Sequence, residues 1–145
     1  MRYTFILRHG QRADHTAKAT YDFADKPPDP VLTPLGMQQA TETGKYLKKY
    51  LKELEKKEGR KFDKVIVVTS PFVRSMQTAG RLSKEMGIKE AGICFQISEI
   101  LNEGVFPRDP FPHLERLKMS ASKLDKKYSL SGLKFKEYEE PVAHP

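Results

Sequence analysis

An imidazole and two guanidiniums lie close together near the start of the chain. His9 follows Arg8 directly, and Arg12 comes three residues after the histidine, so a short turn brings both arginines near the ring. Much later, a Ser-Pro pair at residues 70–71 precedes Arg74 in what reads as the first turn of a helix. Guanidiniums and helix N-termini favour anions, and together with an imidazole they suit a phosphoryl group. We predict that these residues form one phosphate-binding site.

Each fragment has a plainer interpretation when it is taken alone. A single histidine after a strand is more often structural, and a Ser-Pro pair is often a helix cap followed by a solvated arginine. The combination favours chemistry, because both fragments follow apolar runs that we interpret as strands. Sites in open α/β sheets form beyond the carboxyl ends of the strands. The prediction therefore requires that the two strands be neighbours.

The elements that must position these residues alternate between strands and helices. Short apolar runs predict three buried strands, at residues 3–7, 65–69 and 93–97. Apolar stripes and caps predict three helices, from Thr33-Pro34 to Gly59, from Ser70-Pro71 to Met86, and over residues 114–128. The stretch after residue 128 is interpreted as irregular. This alternation indicates an α/β fold with a parallel sheet.

The composition limits the class of protein. A chain of 145 residues with 38% apolar residues suits one domain with one core, here residues 1–145. The 26 basic and 19 acidic residues give a formal charge of +7, which favours anionic partners without choosing among them. A single cysteine, Cys94, excludes a disulfide framework, and no apolar run approaches the roughly 20 residues that cross a bilayer. We predict a cytoplasmic protein that uses no metal, cofactor or membrane.

Three separated motifs stand out in the chain: Leu7–Gly10, Leu32–Gly36 and Thr69–Ala79. In their order and spacing they resemble the motifs of the histidine phosphatase superfamily, which includes the phosphoglycerate mutases. The run Arg8–Asp14, together with Asp29–Leu32, looks most like the branch that holds the phosphatase domains of the suppressors of T-cell receptor signalling. The resemblance runs from residue 1 to about residue 103. It implies a phosphoglycerate mutase-like, three-layer α/β/α fold with a mainly parallel sheet.

The resemblance also implies a role for each site residue. His9 matches the nucleophile that becomes a phosphohistidine, and Glu103 falls where the family carries an acidic proton donor, with Glu99 as a second candidate. The arginines that match those holding the phosphoryl oxygens are Arg8, Arg12 and Arg74. Nearby guanidiniums also keep an imidazole neutral and spread the charge of a transferring phosphoryl group. The implied activity is a metal-independent phosphatase acting on a phosphorylated small molecule or a phosphoprotein.

The family pattern is incomplete in this chain, because the family carries a second histidine after a late hydrophobic strand. The remaining histidines follow no such strand, and we interpret them as surface or structural residues: His15, His113 and His144. We expect the chain to be C-terminally truncated within the domain; a partner chain that supplies the strand and an inactive relative are the alternatives. A sheet that lacks a strand exposes backbone and apolar groups, which predicts self-association.

Other function classes stay open at this stage. A catalytically impaired phosphate-binding or interaction module would keep the anion site without managing protons. A phosphoglycerate mutase-type phosphotransferase must exclude water, and nothing in the sequence marks a lid. Nucleic-acid binding through the lysine-rich face of the first helix is disfavoured, because glutamates alternate with the lysines.

Overall fold

The computed structural model describes residues 2–15, 29–94 and 120–138. Within these ranges a 3₁₀ turn at Ala13–His15 precedes helices and strands that alternate along the chain. They are α1 (Pro34–Glu58), β1 (Val68–Thr69), α2 (Val73–Met86), β2 (Glu90–Ile93), α3 (Ala121–Tyr128) and β3 (Lys134–Glu137). The strands pair in parallel in the order β1-β2-β3. The α/β class is confirmed.

Helix α1 begins and ends where its caps predict. The Thr33 hydroxyl accepts a hydrogen bond from the Gly36 backbone N–H at 2.9 Å, and Pro34 occupies the first turn, where its missing N–H costs nothing. At the other end Gly59 adopts a left-handed conformation with φ 68°, which ends the helix. Its apolar stripe faces the interior: Leu51 is half-buried, and the other members are buried, namely Ala40, Gly44, Leu47 and Leu54.

The core lies between α2, α3 and one face of the sheet. Ala91 and Ile93 share that face because side chains alternate along a strand. The buried residues that pack there come from all three elements and the loop after α3: Met76, Ala79, Ala91, Ile93, Leu124, Leu130 and Leu133. Phe135 of β3 packs against both parts of this core. Helix α2 packs against the sheet through this core, and it also packs against α1, where Gly44 lies in close contact with Leu82.

The first predicted strand is wrong in this structure. Residues 3–7 form no strand, and the Ile6 side chain is 96% exposed. The second is shortened to Val68–Thr69, with Val65 and Ile66 exposed. An apolar run is buried on both faces only when neighbours cover both faces. Among the described strands β1 pairs only with β2. The apolar runs at residues 3–7 and 65–69 are therefore not covered on both faces by described strands.

Two further elements differ from the prediction in their boundaries. Helix α2 begins at Val73 rather than at the Ser-Pro pair, and β2 lies earlier than predicted, at Glu90–Ile93. The described part of the last predicted helix is α3; residues 95–97 and 114–119, where the rest of these predictions falls, lie outside the described residues.

The stretch after residue 128 is not irregular throughout, because it contains β3. The sequence of this strand, Lys-Phe-Lys-Glu, lacks an apolar run, and three of its four side chains are exposed. Charged residues are typical of a strand at the edge of a sheet. Lys136 reaches across to Glu90 on β2, with 2.5 Å between Nζ and Oε1. Among the described strands β3 lies at an edge of the sheet, which explains why hydrophobicity did not reveal it.

In the described ranges, no helix combines the length with the low charge that a bilayer span requires.

Candidate functional site

His9 lies in the turn that follows the exposed N-terminal segment, and its ring is partly buried. The ring atom Nδ1 lies 2.8 Å from the carbonyl oxygen of Gly10. A carbonyl oxygen only accepts hydrogen bonds, so Nδ1 carries the proton and donates it. In a neutral ring this tautomer leaves the lone pair on Nε2. The backbone thereby fixes which nitrogen is able to act as a nucleophile.

The turn that carries His9 is anchored on α2 through one threonine. The backbone N–H of Gly10 donates to the Thr78 hydroxyl at 3.2 Å. That hydroxyl in turn donates to the carbonyl of Arg74 at 2.8 Å, one helical turn earlier. The threonine thus links the histidine turn directly to the turn of α2 that bears the arginine.

A second anchor holds the same turn against the N-terminus of α1. A side chain on Gly10 would collide with the Gly36 carbonyl, and one on Gly36 would collide with the backbone of Gln11, so the two glycines allow the segments to cross in contact. The Gln11 N–H donates to Gln39 Oε1 at 2.9 Å, and its carbonyl accepts from Thr33 N at 3.0 Å. The turn is fixed on both sides.

Arg12 is held by the carboxylate of Asp14. Its Nε donates to Oδ1 at 2.9 Å and its Nη2 to Oδ2 at 2.5 Å, the two-pronged geometry that Arg and carboxylates favour. The backbone of Arg12 forms an antiparallel bridge with Leu32, whose N–H donates to the buried Gln77. These contacts leave the Arg12 side chain 25% exposed, so it is both oriented and accessible.

Arg74 extends from the first turn of α2 and is more deeply buried. Its side chain is 16% exposed, and the guanidinium carbon lies 4.1 Å from the centre of the Phe72 ring. The carboxylate of Asp29 lies 3.8 Å from Nη1, within ion-pair distance but too long for a hydrogen bond. Arg74 therefore has a counter-charge that does not occupy its Nη1 donor.

The electrostatics of the site favour a neutral histidine. Burial lowers the pKa of His9 below its ordinary 6.5, the hydrogen bond to Gly10 opposes this, and the charges of the arginines lower the pKa further. In order of their effect these are Arg74, Arg12 and Arg8. Burial and then Arg12 likewise lower the pKa of Arg74, while Asp29 and Asp14 raise it. Arg12 and Arg74 are thus close enough to repel each other, and a bound anion would relieve this repulsion.

The predicted site residues come together in part. The structure brings His9 and the three arginines into one electrostatic neighbourhood, although residues 3–7 do not form the strand that was expected to deliver the histidine. Arg8 is exposed. Glu103, its alternative Glu99, and the distant His113 and His144 lie outside the described residues, as does the side chain of His15.

Sequence reasoning missed the residues that hold this group in place. Thr78 follows Arg74 by four positions, so it lies on the same helix face, and this spacing was a usable signal. Asp14 follows Arg12 closely in the same loop. Asp29 begins the run Asp29–Leu32, but no local feature of this run indicates its contact with a helix 44 positions later. Among the described residues, no group of three acidic, histidine or cysteine side chains is arranged to hold a metal ion.

Fold and site together define an α/β protein with a partly buried imidazole among arginines. The family model of the histidine phosphatase superfamily (branch 1) matches residues 4–106 of the sequence, so the chain belongs to this family. Membership supports phosphatase or phosphotransferase-type activity in general. No curated protein matches the chain.

Proposed function

We propose that the protein is a metal-independent phosphatase that hydrolyses phosphate monoesters through a phosphohistidine at His9. The observation that carries this proposal is the hydrogen bond from His9 Nδ1 to the Gly10 carbonyl. It directs the lone pair of a neutral ring to Nε2, while Arg74, Arg12 and Arg8 lower the pKa of that ring. An oriented, unprotonated nucleophile beside cationic groups is what phosphoryl transfer requires.

The reaction would run in two displacements. In the first, Nε2 of His9 attacks phosphorus, the bond to the ester oxygen breaks, and an acid donates a proton to the leaving oxygen. We assign that proton to the carboxyl group of Glu103, on the resemblance to the family. In the second, water attacks the phosphorus of the phosphohistidine and gives a proton to the carboxylate. The bond between Nε2 and phosphorus breaks, so inorganic phosphate leaves and the neutral ring is restored. The arginines balance the charge on the phosphoryl oxygens throughout.

The branch of the family is also part of this proposal. The run Arg8–Asp14 resembles the phosphatase domains of the suppressors of T-cell receptor signalling, and within this run Asp14 holds Arg12 by two hydrogen bonds. Because the Arg12 side chain is a quarter exposed, we infer an open site that accepts a phosphoprotein or a small phosphate ester.

The test is turnover of para-nitrophenyl phosphate together with trapping of the phosphoenzyme. We expect the wild-type chain to release para-nitrophenol in the presence of EDTA and to carry an acid-labile, base-stable phosphate on His9. The His9→Asn variant should lose both, by at least about a thousandfold in kcat, since the nucleophile is gone.

His15→Asn is the matched control, because this histidine lies in the same loop, and it should leave turnover unchanged. Turnover that survives His9→Asn would contradict the nucleophile assignment. Binding of inorganic phosphate without turnover would favour the impaired phosphate-binding module instead.

A further inference from the structure

Helix α2 receives its N-terminal cap from a residue far away in the sequence. The residue at its own cap position, Phe72, makes no side-chain cap hydrogen bond. Instead the backbone N–H of Val73 donates to Oδ1 of Asp29 at 3.0 Å. A carboxylate at this position satisfies one of the unpaired N–H groups and complements the positive end of the helix dipole.

The same carboxylate oxygen is also the counter-charge of Arg74. Oδ1 of Asp29 lies 3.8 Å from Nη1 of Arg74, and the Asp29 side chain is only 8% exposed. A guanidinium as buried as that of Arg74 needs a nearby negative charge, because burial removes much of its hydration. One atom of Asp29 therefore contacts both the backbone that begins α2 and the charged group of the next residue.

The two aspartates of the site act on their arginines in different ways. Asp14 takes two hydrogen bonds from Arg12 and so occupies part of its fork of donors. Asp29 supplies charge to Arg74 from beyond hydrogen-bond distance. Among the described residues, the buried Nε of Arg74 makes no hydrogen bond either. Asp29 thus orients Arg74 by charge without occupying the Nη1 donor, which leaves the partly exposed end of the guanidinium for phosphoryl oxygens.

The segment that carries Asp29 is itself fixed to the site. Two residues after the buried Pro30, the N–H of Leu32 donates to Gln77 Oε1 at 2.8 Å, and Gln77 Nε2 donates to the Tyr128 carbonyl at 2.7 Å. The N–H of Ala13 donates to the Val31 carbonyl at 2.9 Å. Asp29 is therefore presented to α2 by a backbone that α2 and the histidine loop hold in place.

We propose that Asp29 is a positioning residue for Arg74: its carboxylate fixes the start of α2 and the guanidinium together, so that Arg74 faces the phosphoryl group. This inference rests on the phosphatase function proposed above. Asp29 does not itself touch the substrate. Its removal should weaken catalysis only through Arg74.

The experiment is a double-mutant cycle between Asp29 and Arg74. Asp29→Asn removes the charge but keeps an oxygen that accepts the Val73 N–H, so the cap is retained. With para-nitrophenyl phosphate we expect kcat/KM to fall about tenfold in Asp29→Asn, and less than about twofold when the same change is made in Arg74→Ala, because coupled residues are not additive. An equal loss in both backgrounds would overturn the proposal.

Two further variants separate positioning from folding. Asp63→Asn makes the same change in charge at an exposed residue and should leave kcat/KM unchanged. Asp29→Ala also removes the cap, so its melting temperature should fall by several degrees while that of Asp29→Asn stays within about two degrees. A large fall for Asp29→Asn would show a role in folding rather than in positioning.

A spectroscopic readout keeps this inference distinct from the proposed function. If the wild-type chain has no turnover and no phosphohistidine, the phosphatase assignment fails, and the Nε–H resonance of Arg74 then decides the role of Asp29. This resonance, identified by its loss in Arg74→Lys, should exchange with water slowly in the wild type and at least about ten times faster in Asp29→Asn. Unchanged exchange in the variant would refute the positioning role.

Discussion

Two stretches that adjoin in the sequence, residues 3–7 and residues 8–12, are held in opposite ways. The first is apolar and exposed, and its ring contacts are edge-on: Tyr3 with Phe62 at 5.8 Å and Phe5 with Tyr50 at 6.0 Å. The second contains charged residues and a histidine, yet hydrogen bonds and close glycine contacts fix it to both helices. Polar contacts, rather than burial of the preceding apolar run, place the histidine.

In this protein the stability of the fold and the placement of the site residue depend on different segments. A buried strand normally both stabilises the fold and delivers the site residue at its end. Here α1 and α2 deliver the residue, because Thr78 and Gln39 hold the turn directly. Changes in residues 8–12 and their anchors should therefore affect both stability and activity, whereas changes in residues 3–7 should affect neither strongly.

The largest effect is expected where the turn crosses α1. In Gly36→Ala the new methyl group would collide with the backbone of Gln11, so either the turn or the helix must move. We expect the free energy of unfolding to fall by about 2–3 kcal/mol, as in other overpacked sites, and turnover to fall with it. Urea denaturation and the para-nitrophenyl phosphate assay measure the two losses. Gln38→Ala, on an exposed face of the same helix, is the control. If Gly36→Ala changes stability and turnover as little as Gln38→Ala does, Gly36 and Gln11 are not in close contact.

The next effect concerns the threonine anchor. Thr78→Val keeps the shape but removes the acceptor of the Gly10 N–H, which should cost about 1–2 kcal/mol of stability. A shift of the His9 turn should also lower kcat, by about tenfold. Thr43→Val is a matched control, because its hydroxyl likewise bonds the carbonyl four residues earlier but has no partner in the turn. Equal effects of the two variants on kcat would contradict the anchoring role.

Protonation offers a smaller but site-specific comparison. Burial, and after it the charges of the arginines, lower the pKa of His9, so its NMR titration should lie below pH 6.5. The control is Ile6→His, because a histidine at this exposed position should titrate near its ordinary value. Because the unfolded chain binds the proton at higher pH than the folded chain, the free energy of unfolding should fall as the pH drops below 6.5 toward the folded pKa. The acid limb of kcat/KM should lie in the same range below 6.5. A titration of His9 at or above that of the position-6 histidine would break the comparison.

The smallest effect is expected in the exposed run. Ile6→Ser removes a large apolar side chain that is 96% exposed, so stability should change by less than about 0.5 kcal/mol. Chemical denaturation measures this, with Ile93→Ser, at a buried position of β2, as the contrasting variant that should lose several kcal/mol. A loss above about 1 kcal/mol for Ile6→Ser would show that residues 3–7 are covered in solution.

Helix boundaries that depend on residues within the helix itself are predictable from the sequence. Helix α1 was predicted from its cap at Thr33 to Gly59 because both caps and the apolar stripe lie within the helix itself. The end of α2 at Met86 is predictable for the same reason, because the next residue is Gly87, which adopts φ 75°. Its beginning was not, because the cap is supplied by Asp29 from another part of the chain.

Strand boundaries depended on partners that hydrophobicity does not identify. Val65 and Ile66 satisfy the pattern of a buried strand and are nevertheless exposed, while the charged strand β3 pairs with β2 over four residues. Of the site, the types and spacing of His9 and Arg74 predict a shared site, and the charge of Arg74 lowers the pKa of His9. The carboxylates that orient the arginines act across loops, and their contacts became visible only in three dimensions.

The contacts that hold the histidine turn join residues far apart in the sequence, so they form late during synthesis of the chain. Gly10 contacts Thr78 across 68 positions, and Gln77 contacts Tyr128 across 51. Contacts between such distant positions close large loops, which slows their formation. On the ribosome, where roughly 5–20 residues are added each second, the nascent histidine turn must wait several seconds for α2 to emerge. During that interval the imidazole is hydrated, so the burial and the arginine charges that lower the pKa of His9 act on it only after α2 has emerged and folded.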